Sequence, residues 1–388
     1  MARFLHTSDW QIGRRFETLN AETTGHEVAP APLLMQARFD VVERIARLAH
    51  ELEVDAVLVA GDVFDSENAP PEVVFKLFSM LEAFSGPWVL LPGNHDPATP
   101  DGVWANAALL KAVPSNVRLA VDATPIELPG DLVVLPAPLR DRSARDDVTA
   151  WMDDAVTPPR CVRVGLAHGC VTGELPDDWD ARNPIARDRA ARARLDYLAL
   201  GDWHGCKEID ARTWYSGTPE PDRFRDNEPG YVLEVDVPAP GAMPSVKTHS
   251  VATYRWLTHE LTIRGASDIE ALIPFVKSLP PTTVLKLSLQ GRLDESLHVR
   301  LGNALAEARG RLTALCVDRS RLVAEPTAEL LDELRRDGYL GDVVRELEEA
   351  VQGDDAQRAL AREALWVLAE HYAKLPATTG SSRPSRSS

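Results

Sequence analysis

Five apolar runs in the first half of the chain each end in a cluster of Asp, Asn or His beside glycine, and this recurrence restricts the fold most. Phe4-Leu5 runs into His6-Thr7-Ser8-Asp9-Trp10-Gln11, and residues 54–60 into Gly61-Asp62-Val63-Phe64-Asp65. Residues 88–91 lead to Gly93-Asn94-His95-Asp96, 162–167 to His168-Gly169, and 197–200 to Gly201-Asp202-Trp203-His204-Gly205. Between the early runs, Phe39, Val42, Ile45, Ala46 and Ala49 recur at the three-and-four spacing of an amphipathic helix, and Val73, Leu77, Met80 and Leu81 predict a second. Strands alternating with helices predict an α/β fold with helices covering the sheet. The carboxyl ends of neighbouring strands in such a fold converge on one crevice, so the five clusters should meet in space.

Donor chemistry narrows what that crevice can hold. Asp9, Asp62, Asn94, His168, Asp202 and His204 offer oxygen and imidazole without thiolate, a set that suits Mn²⁺, Mg²⁺ or Fe²⁺ better than structural zinc. They exceed the needs of one small cation. Two metals bridged by a carboxylate, about 3.5–4 Å apart, fit in-line displacement at phosphorus. Singly, each cluster is weak: Gly-Asp after a strand is common, a lone strand-end His is usually structural, and Asn94-His95-Asp96 also reads as a capped turn. Their succession predicts a shared metal site.

Composition sets the surroundings. With 42 basic against 59 acidic side chains the net charge is −17, which argues against a general polyanion binder and leaves nucleic-acid contact to a local patch or a metal. A chain of 388 residues, 44% hydrophobic and 26% charged, has room for two or three globular domains and excludes disorder for its bulk. No apolar run reaches the roughly 18–20 residues of a membrane span, and the polar stretch from His6 to Asp9 argues against a secretory signal. Cys161, Cys170, Cys206 and Cys316 form no C-x-x-C pair, as expected in a reducing compartment. The expected location is the cytoplasm, with no membrane partner.

The predicted domains are 1–250, carrying all five clusters; 251–326, a small α/β module read from an alternating, helical, alternating, helical succession; 327–375, purely helical; and 376–388, a Ser/Arg/Pro-rich disordered tail. The first boundary follows a strand near 230–237 and the Pro238-Ala239-Pro240-Gly241 break.

The order Asp9, Gly61-Asp62, Gly93-Asn94-His95-Asp96, His168-Gly169, Gly201-Asp202-Trp203-His204 resembles the calcineurin-like metallophosphoesterases. His6-Thr7-Ser8-Asp9-Trp10-Gln11-Ile12-Gly13 and Tyr215-Ser216-Gly217-Thr218-Pro219-Glu220 resemble the subtype of SbcD-type DNA repair exonucleases. The likeness is strong over about residues 3–235 and beyond that rests on domain order. It implies a four-layer α/β/β/α fold with a small α/β cap and C-terminal helices, whereas alternation by itself implies only α/β. It further implies Asp62 as a bridging carboxylate, Asp9, Gln11 and His204 on a first metal, and Asn94, His168 and Asp202 on a second. His95 would sit over the scissile phosphate, stabilising the transition state or protonating the leaving oxygen, with Asp96 orienting it. The nucleophile would be a hydroxide made by the metals from water. Gln11 and Asp202 stand where many members have His, which predicts a shift toward Mn²⁺ or Mg²⁺ and a looser first site.

The function so implied is a manganese-dependent DNA exonuclease acting in DNA repair with an SMC-like coiled-coil ATPase of SbcC type, with a homodimer as a family expectation. The alternatives are a phosphoesterase acting on nucleotides or phosphoproteins, and a scaffold whose metal site has weakened. Other candidates have two readings each. The arginines at 182, 187, 189, 192 and 194 could steer DNA or line a solvated helix. Arg14 and Arg15 could touch phosphate or be surface charges, and Trp10 and Trp203 could stack on a base, though packing behind the metals is the stronger reading. Cys170 and Cys206 read as small buried residues. The apolar stripes Leu340, Val343, Leu347, Val351 and Leu360, Val367, Leu368 fit either an ATPase partner or the chain's own surface, with the partner favoured.

Overall fold

The computed structural model describes residues 1–17, 19, 29–175, 182–293, 295–324, 328–353 and 355–373. The tail expected at 376–388 and the boundary expected at 326 lie outside the described residues.

The chain begins with β1 (Ala2–Thr7), α1 (Pro30–Glu51), β2 (Ala56–Val59), α2 (Pro71–Leu81), β3 (Trp88–Leu90), α3 (Val103–Leu109) and β4 (Val117–Leu119). Both α1 and α2 open on a proline in the first turn, where its missing N–H costs nothing. There follow β5 (Ile126–Leu128), β6 (Leu132–Ala137), β7 (Val162–His168), β8 (Cys170–Val171), β9 (Pro184–Ile185), α4 (Arg189–Arg192), β10 (Tyr197–Gly201), β11 (Lys207–Asp210), β12 (Thr213–Tyr215), β13 (Tyr231–Val237) and β14 (Ser245–Ser250). Two six-stranded sheets result, ordered β14-β13-β1-β2-β3-β4 and β11-β12-β10-β7-β6-β5.

Alternation along each strand sorts side chains into layers. Phe4, Leu58, Val89, Val134, Val164, Leu166, Tyr197 and Val235 fill the space between the two sheets. Their neighbours Leu5, Val57, Val59 and Leu90 turn outward, onto Val42 and Ile45 of α1 and Leu77 and Phe78 of α2. On the far side of the second sheet Val133, Leu135 and Leu198 pack on Met152, Ala190 and Leu195. The architecture is therefore α/β/β/α. Within the sheets, β1 to β4 run parallel, as do β6, β7, β10 and β12. Pairing of Thr7 with Val59 and of Gly201 with His168 aligns the carboxyl ends of the strands that carry the clusters.

Beyond this lie β15 (Arg255–Ile263), α5 (Ala266–Ser278), β16 (Thr283–Leu293), α6 (Glu295–Arg311), β17 (Ala314–Ala324), α7 (Ala328–Arg336), α8 (Gly338–Ala350) and α9 (Asp355–Ala373). The three strands form one sheet in the order β15-β16-β17. Contacts divide the chain into two compact units. The larger holds Met1–Thr258, Pro280–Lys286 and Leu312–Cys316; the smaller holds His259–Leu279, Leu287–Arg311 and the described residues from Val317 onward. Helices α7 to α9 share an apolar cluster around Leu334, Val344, Leu365 and Ala369. Among the described residues no helix is long and apolar enough to cross a membrane.

Candidate metal centre at the strand ends

The loops after β1 and β2 run side by side: Asp9 N–H donates to the Gly61 carbonyl at 3.0 Å and Gln11 N–H to the Asp62 carbonyl at 2.9 Å. Asp9, Gln11, Asp62 and Asp202 all take left-handed backbone conformations, with φ of 54°, 44°, 53° and 97°. Such residues are uncommon outside glycine, and they turn their side chains off the strand ends into the crevice. Two glycines permit the crowding. A Cβ on Gly61, at φ +87°, would fall 2.2 Å from His168 Nδ1, and one on Gly93 would fall 2.2 Å from Asp62 Oδ1.

Asp9, Asp62 and His168, all buried, present ligand-type atoms within 4.8 Å of one another. His168 Nδ1 lies 2.8 Å from the Ala60 carbonyl, which puts the ring proton there and leaves Nε2 facing the crevice. That Nε2 is 3.2 Å from Asn94 Oδ1, 3.5 Å from Asp62 Oδ1 and 3.7 Å from Asp202 Oδ1. Burial disfavours charge on this ring, but Asp62, Asp9 and Asp202 outweigh it and raise its pKa to about 9. A crevice that holds a proton this tightly has an excess of negative charge, which a divalent cation would neutralise. Asp202 also ties the two sheets together, its N–H donating to Asp9 Oδ1 at 3.2 Å.

His204 stands at the other side, its Nε2 3.7 Å from Asp9 Oδ1 and 3.4 Å from Gln11 Nε2. Its Nδ1 is 3.3 Å from Asp222 Oδ1. Burial would raise the Asp222 pKa, but His204 and Arg223 prevail and hold it well below the usual carboxylate range. His95, with a side chain 42% exposed, puts Nε2 3.9 Å from Asp62 Oδ2, while its Nδ1 faces the Asp65 carbonyl at 3.1 Å. The residue expected to orient His95 was Asp96; here the Asp96 carboxylate instead accepts the N–H groups of Gly93 at 2.7 Å and Phe64 at 2.9 Å. Asp96 thus braces the loop against the turn after β2, and the Asp65 carbonyl is what His95 touches. Both Asp96 carboxylate oxygens are taken up by those backbone N–H groups in a fully buried position, while the His95 side chain is 42% exposed.

Eight of the nine predicted site residues therefore gather at one crevice, and the ninth, Asp96, braces the loop that carries Asn94 and His95. Missing from the prediction were Asp222, Arg223 and the Asp65 carbonyl. Asp222 and Arg223 follow the Tyr215–Glu220 segment singled out in the sequence after Pro221, and that proximity was the one available signal.

The remaining candidates resolve mostly toward structure. Trp10 is buried edge-on against Trp88, and Trp203 packs into the core behind the second sheet. Arg189 is buried on Asp147 and Asp153, Arg192 also pairs with Asp153, and Arg187 pairs with Glu174, so these members of the arginine stretch serve internal ion pairs. Burial pushes the thiol pKa values of Cys170 and Cys206 up to about 11, which leaves them unreactive. Arg14 does reach the site: its Nη1 donates to Gln11 Oε1 at 2.6 Å. Beside His95 opens a cavity of about 800 Å³ whose lining includes Arg14, Phe16, Arg223, Phe224, Trp256 and Lys286.

Carboxylates, two amides and three imidazoles converging from the strand ends of a β-sandwich define a phosphoesterase architecture, and the chain belongs to the calcineurin-like phosphoesterase family, whose sequence profile matches residues 2–206. Members of this family use divalent metals. The chain's relatives include a nuclease subunit and DNA double-strand break repair proteins. It is 34% identical over 283 residues to the SbcD component of the nuclease SbcCD from Bacillus subtilis, covering 61% of this chain and 65% of that protein. It is 25% identical to "DNA double-strand break repair protein Mre11" of Haloferax volcanii over 328 residues, covering 82% of this chain and 68% of the relative. The protein of the same name from Methanosarcina acetivorans is 25% identical over 278 residues, 67% of this chain and 40% of the relative. The chain thus spans between 40% and 68% of the length of these relatives.

Proposed function

We propose that the protein is a metal-dependent phosphodiesterase acting on DNA ends, an exonuclease of break repair. The observation that carries this reading is the convergence of Asp9, Asp62 and His168 within 4.8 Å at a crevice overlooked by the half-exposed His95. Two candidate cation positions would share Asp62, one among Asp62, Asn94, His168 and Asp202 and the other among Asp9, Gln11, Asp62 and His204. The carboxylate-rich donor set favours Mn²⁺, with Mg²⁺ or Fe²⁺ as alternatives. Cations held there supply charge neutralisation for a phosphodiester and acidify an attacking water. His95 contributes the rest: the Asp65 carbonyl fixes its ring through Nδ1, so Nε2 faces the reacting group and can steady the phosphoryl charge or pass a proton to the leaving oxygen. Phe224 and Trp256, with rings 4.8 Å apart, together with Arg223 and Lys286, give the adjoining cavity a base-stacking and phosphate-binding character that supports DNA over a phosphoprotein.

An SMC-like coiled-coil ATPase of SbcC type is the proposed partner, with the helical region 327–375 as its docking element, the module 251–326 as a small α/β capping domain, and the cytoplasm as the setting. A homodimer is the further expectation, which sedimentation would test. In support, Leu360 and Val367 of α9 are 72% and 51% exposed, while Leu368 of the same predicted stripe turns into the helical cluster.

The test is cleavage of end-labelled duplex and single-stranded DNA with Mn²⁺, Mg²⁺ or EDTA, beside bis-p-nitrophenyl phosphate. Metal-dependent shortening of DNA, lost in His95→Ala and Asp62→Ala, is the expected result. The expected loss is about 10²–10⁴-fold for His95→Ala, with metal retention unchanged. Hydrolysis of the small ester but never of DNA would replace the proposal with a nucleotide phosphoesterase; no turnover of either, with the ATPase present, would leave a scaffold.

A further inference from the structure

We infer that the two cation positions of this centre are unequal: one is built for a divalent ion, and at the other the guanidinium groups of Arg14 and Arg223 take up the donor atoms that a second ion would need. The inference rests on the reading of the crevice as a metal centre and concerns how it is filled.

In the half formed by Gln11 and His204, the donor atoms already face N–H groups. Gln11 Oε1, the one oxygen this side chain could offer a cation, accepts from Arg14 Nη1 at 2.6 Å, and its amide nitrogen is turned toward His204 Nε2 at 3.4 Å. Arg223 Nη2 lies 3.1 Å from His204 Nδ1 and 3.4 Å from Nε2. Neither arginine is a loose surface group. Arg223 grips Asp222 twice, through Nε at 3.0 Å and Nη2 at 2.8 Å, and Arg14 Nη1 lies 3.2 Å from the same carboxylate and 3.5 Å from Asp65. The Asp222 side chain is only 1% exposed, and Arg38 Nη2 approaches it at 4.0 Å, so three guanidiniums meet around one buried carboxylate. A divalent ion entering here must displace a charge-assisted hydrogen bond and lie beside fixed positive charge.

The other half differs. Asp62, Asn94 and His168 have no hydrogen bond from an arginine or lysine among the described residues, and their ligand atoms face one another. His168 Nδ1 is already committed to Ala60, which aims Nε2 inward. One ion can therefore settle among Asp62, Asn94 and His168. Both Arg14 and Arg223 also line the cavity beside His95, so a phosphate arriving there meets guanidinium where a second metal would have met it.

The experiment is a Mn²⁺ titration of the metal-stripped full chain, read by electron paramagnetic resonance and by metal content after desalting. The expected result is one equivalent retained, with the hyperfine pattern of an isolated ion. Gln11→His combined with Arg14→Ala should retain a second equivalent and show an exchange-coupled pair. Two tightly held, coupled ions in the unsubstituted chain would overturn the inference while leaving the phosphoesterase reading intact. No ion bound at any concentration would sink both. Circular dichroism checks that the double variant folds; if it does not, the stoichiometry of the unsubstituted chain decides alone.

Discussion

His6 sits three residues before Asp9, wholly buried, with its Nδ1 3.0 Å from the Tyr197 hydroxyl and Nε2 3.1 Å from the Leu200 carbonyl. The carbonyl takes the Nε2 proton, so Nδ1 accepts from the tyrosine. Burial lowers its pKa to about 3, against a partial opposing pull from Leu200. The unfolded chain, with an ordinary histidine near 6.5, then binds more protons than the folded one between those values. His6 is thus without penalty above pH 6.5 and costs stability as the pH falls toward 3. Between neutral pH and pH 5 the loss should be about 2 kcal/mol. Denaturant midpoints at the two pH values measure it, and His6→Gln should flatten the difference. Gly93 belongs to the same scale: a methyl group there would fall 2.2 Å from Asp62 Oδ1 and 2.4 Å from its backbone nitrogen. Gly93→Ala should weaken metal retention by about 10–100-fold, the usual effect of disturbing a ligand's support. Equilibrium dialysis against Mn²⁺ would show it, and unchanged retention would mean that the loop yields.

At the scale of elements, the turn leaving β7 has to be pinned for His168 to point inward. The Tyr215 hydroxyl, at the end of β12, donates to the Gly169 carbonyl at 2.8 Å and accepts from Val171 N–H at 2.9 Å. Both partners lie just past His168, and the tyrosine is completely buried. Tyr215→Phe leaves that carbonyl and that N–H unsatisfied in the core, which should cost about 1–3 kcal/mol. A thermal melt reads this as a lower midpoint, and a change confined to metal affinity would show that the turn finds another partner. The strand β17 also belongs here, because it was not foreseen. Ala314–Ala324 carries Asp318, Arg319, Ser320 and Arg321 in sequence, which interrupts any alternating pattern; its strand form comes from lying at the edge of the β15-β16-β17 sheet. Strands whose apolar residues face two cores, such as β2 and β10, were visible because the whole run is apolar.

For the whole molecule, the acidic balance of −17 is compatible with a phosphodiester substrate only where positive charge is concentrated, as it is around Asp222. The exposed Leu360 and Val367 belong to the smaller compact unit and those charges to the larger, so partner docking and chemistry should be separable. Leu360→Glu with Val367→Glu should abolish co-elution with a coiled-coil ATPase while hydrolysis of bis-p-nitrophenyl phosphate stays as it was. Intact co-elution would assign this face another role. The strand-end clusters, the helices between them and the metal-type donor set were legible in the amino-acid sequence, since a period, an apolar run and a residue type are local properties. Alternation reads alike in one sheet and in two facing sheets, so the β-sandwich was foreseen from resemblance to a family and not from the pattern. What the tertiary structure alone decided is who touches whom across long stretches of chain. Gln11 meets the arginine three residues away, but that arginine is held by Asp222, and His95 is oriented by a backbone carbonyl that no side-chain pattern encodes. Those contacts depend on the register of the two sheets and on loops meeting at their ends, which become defined only when the core closes.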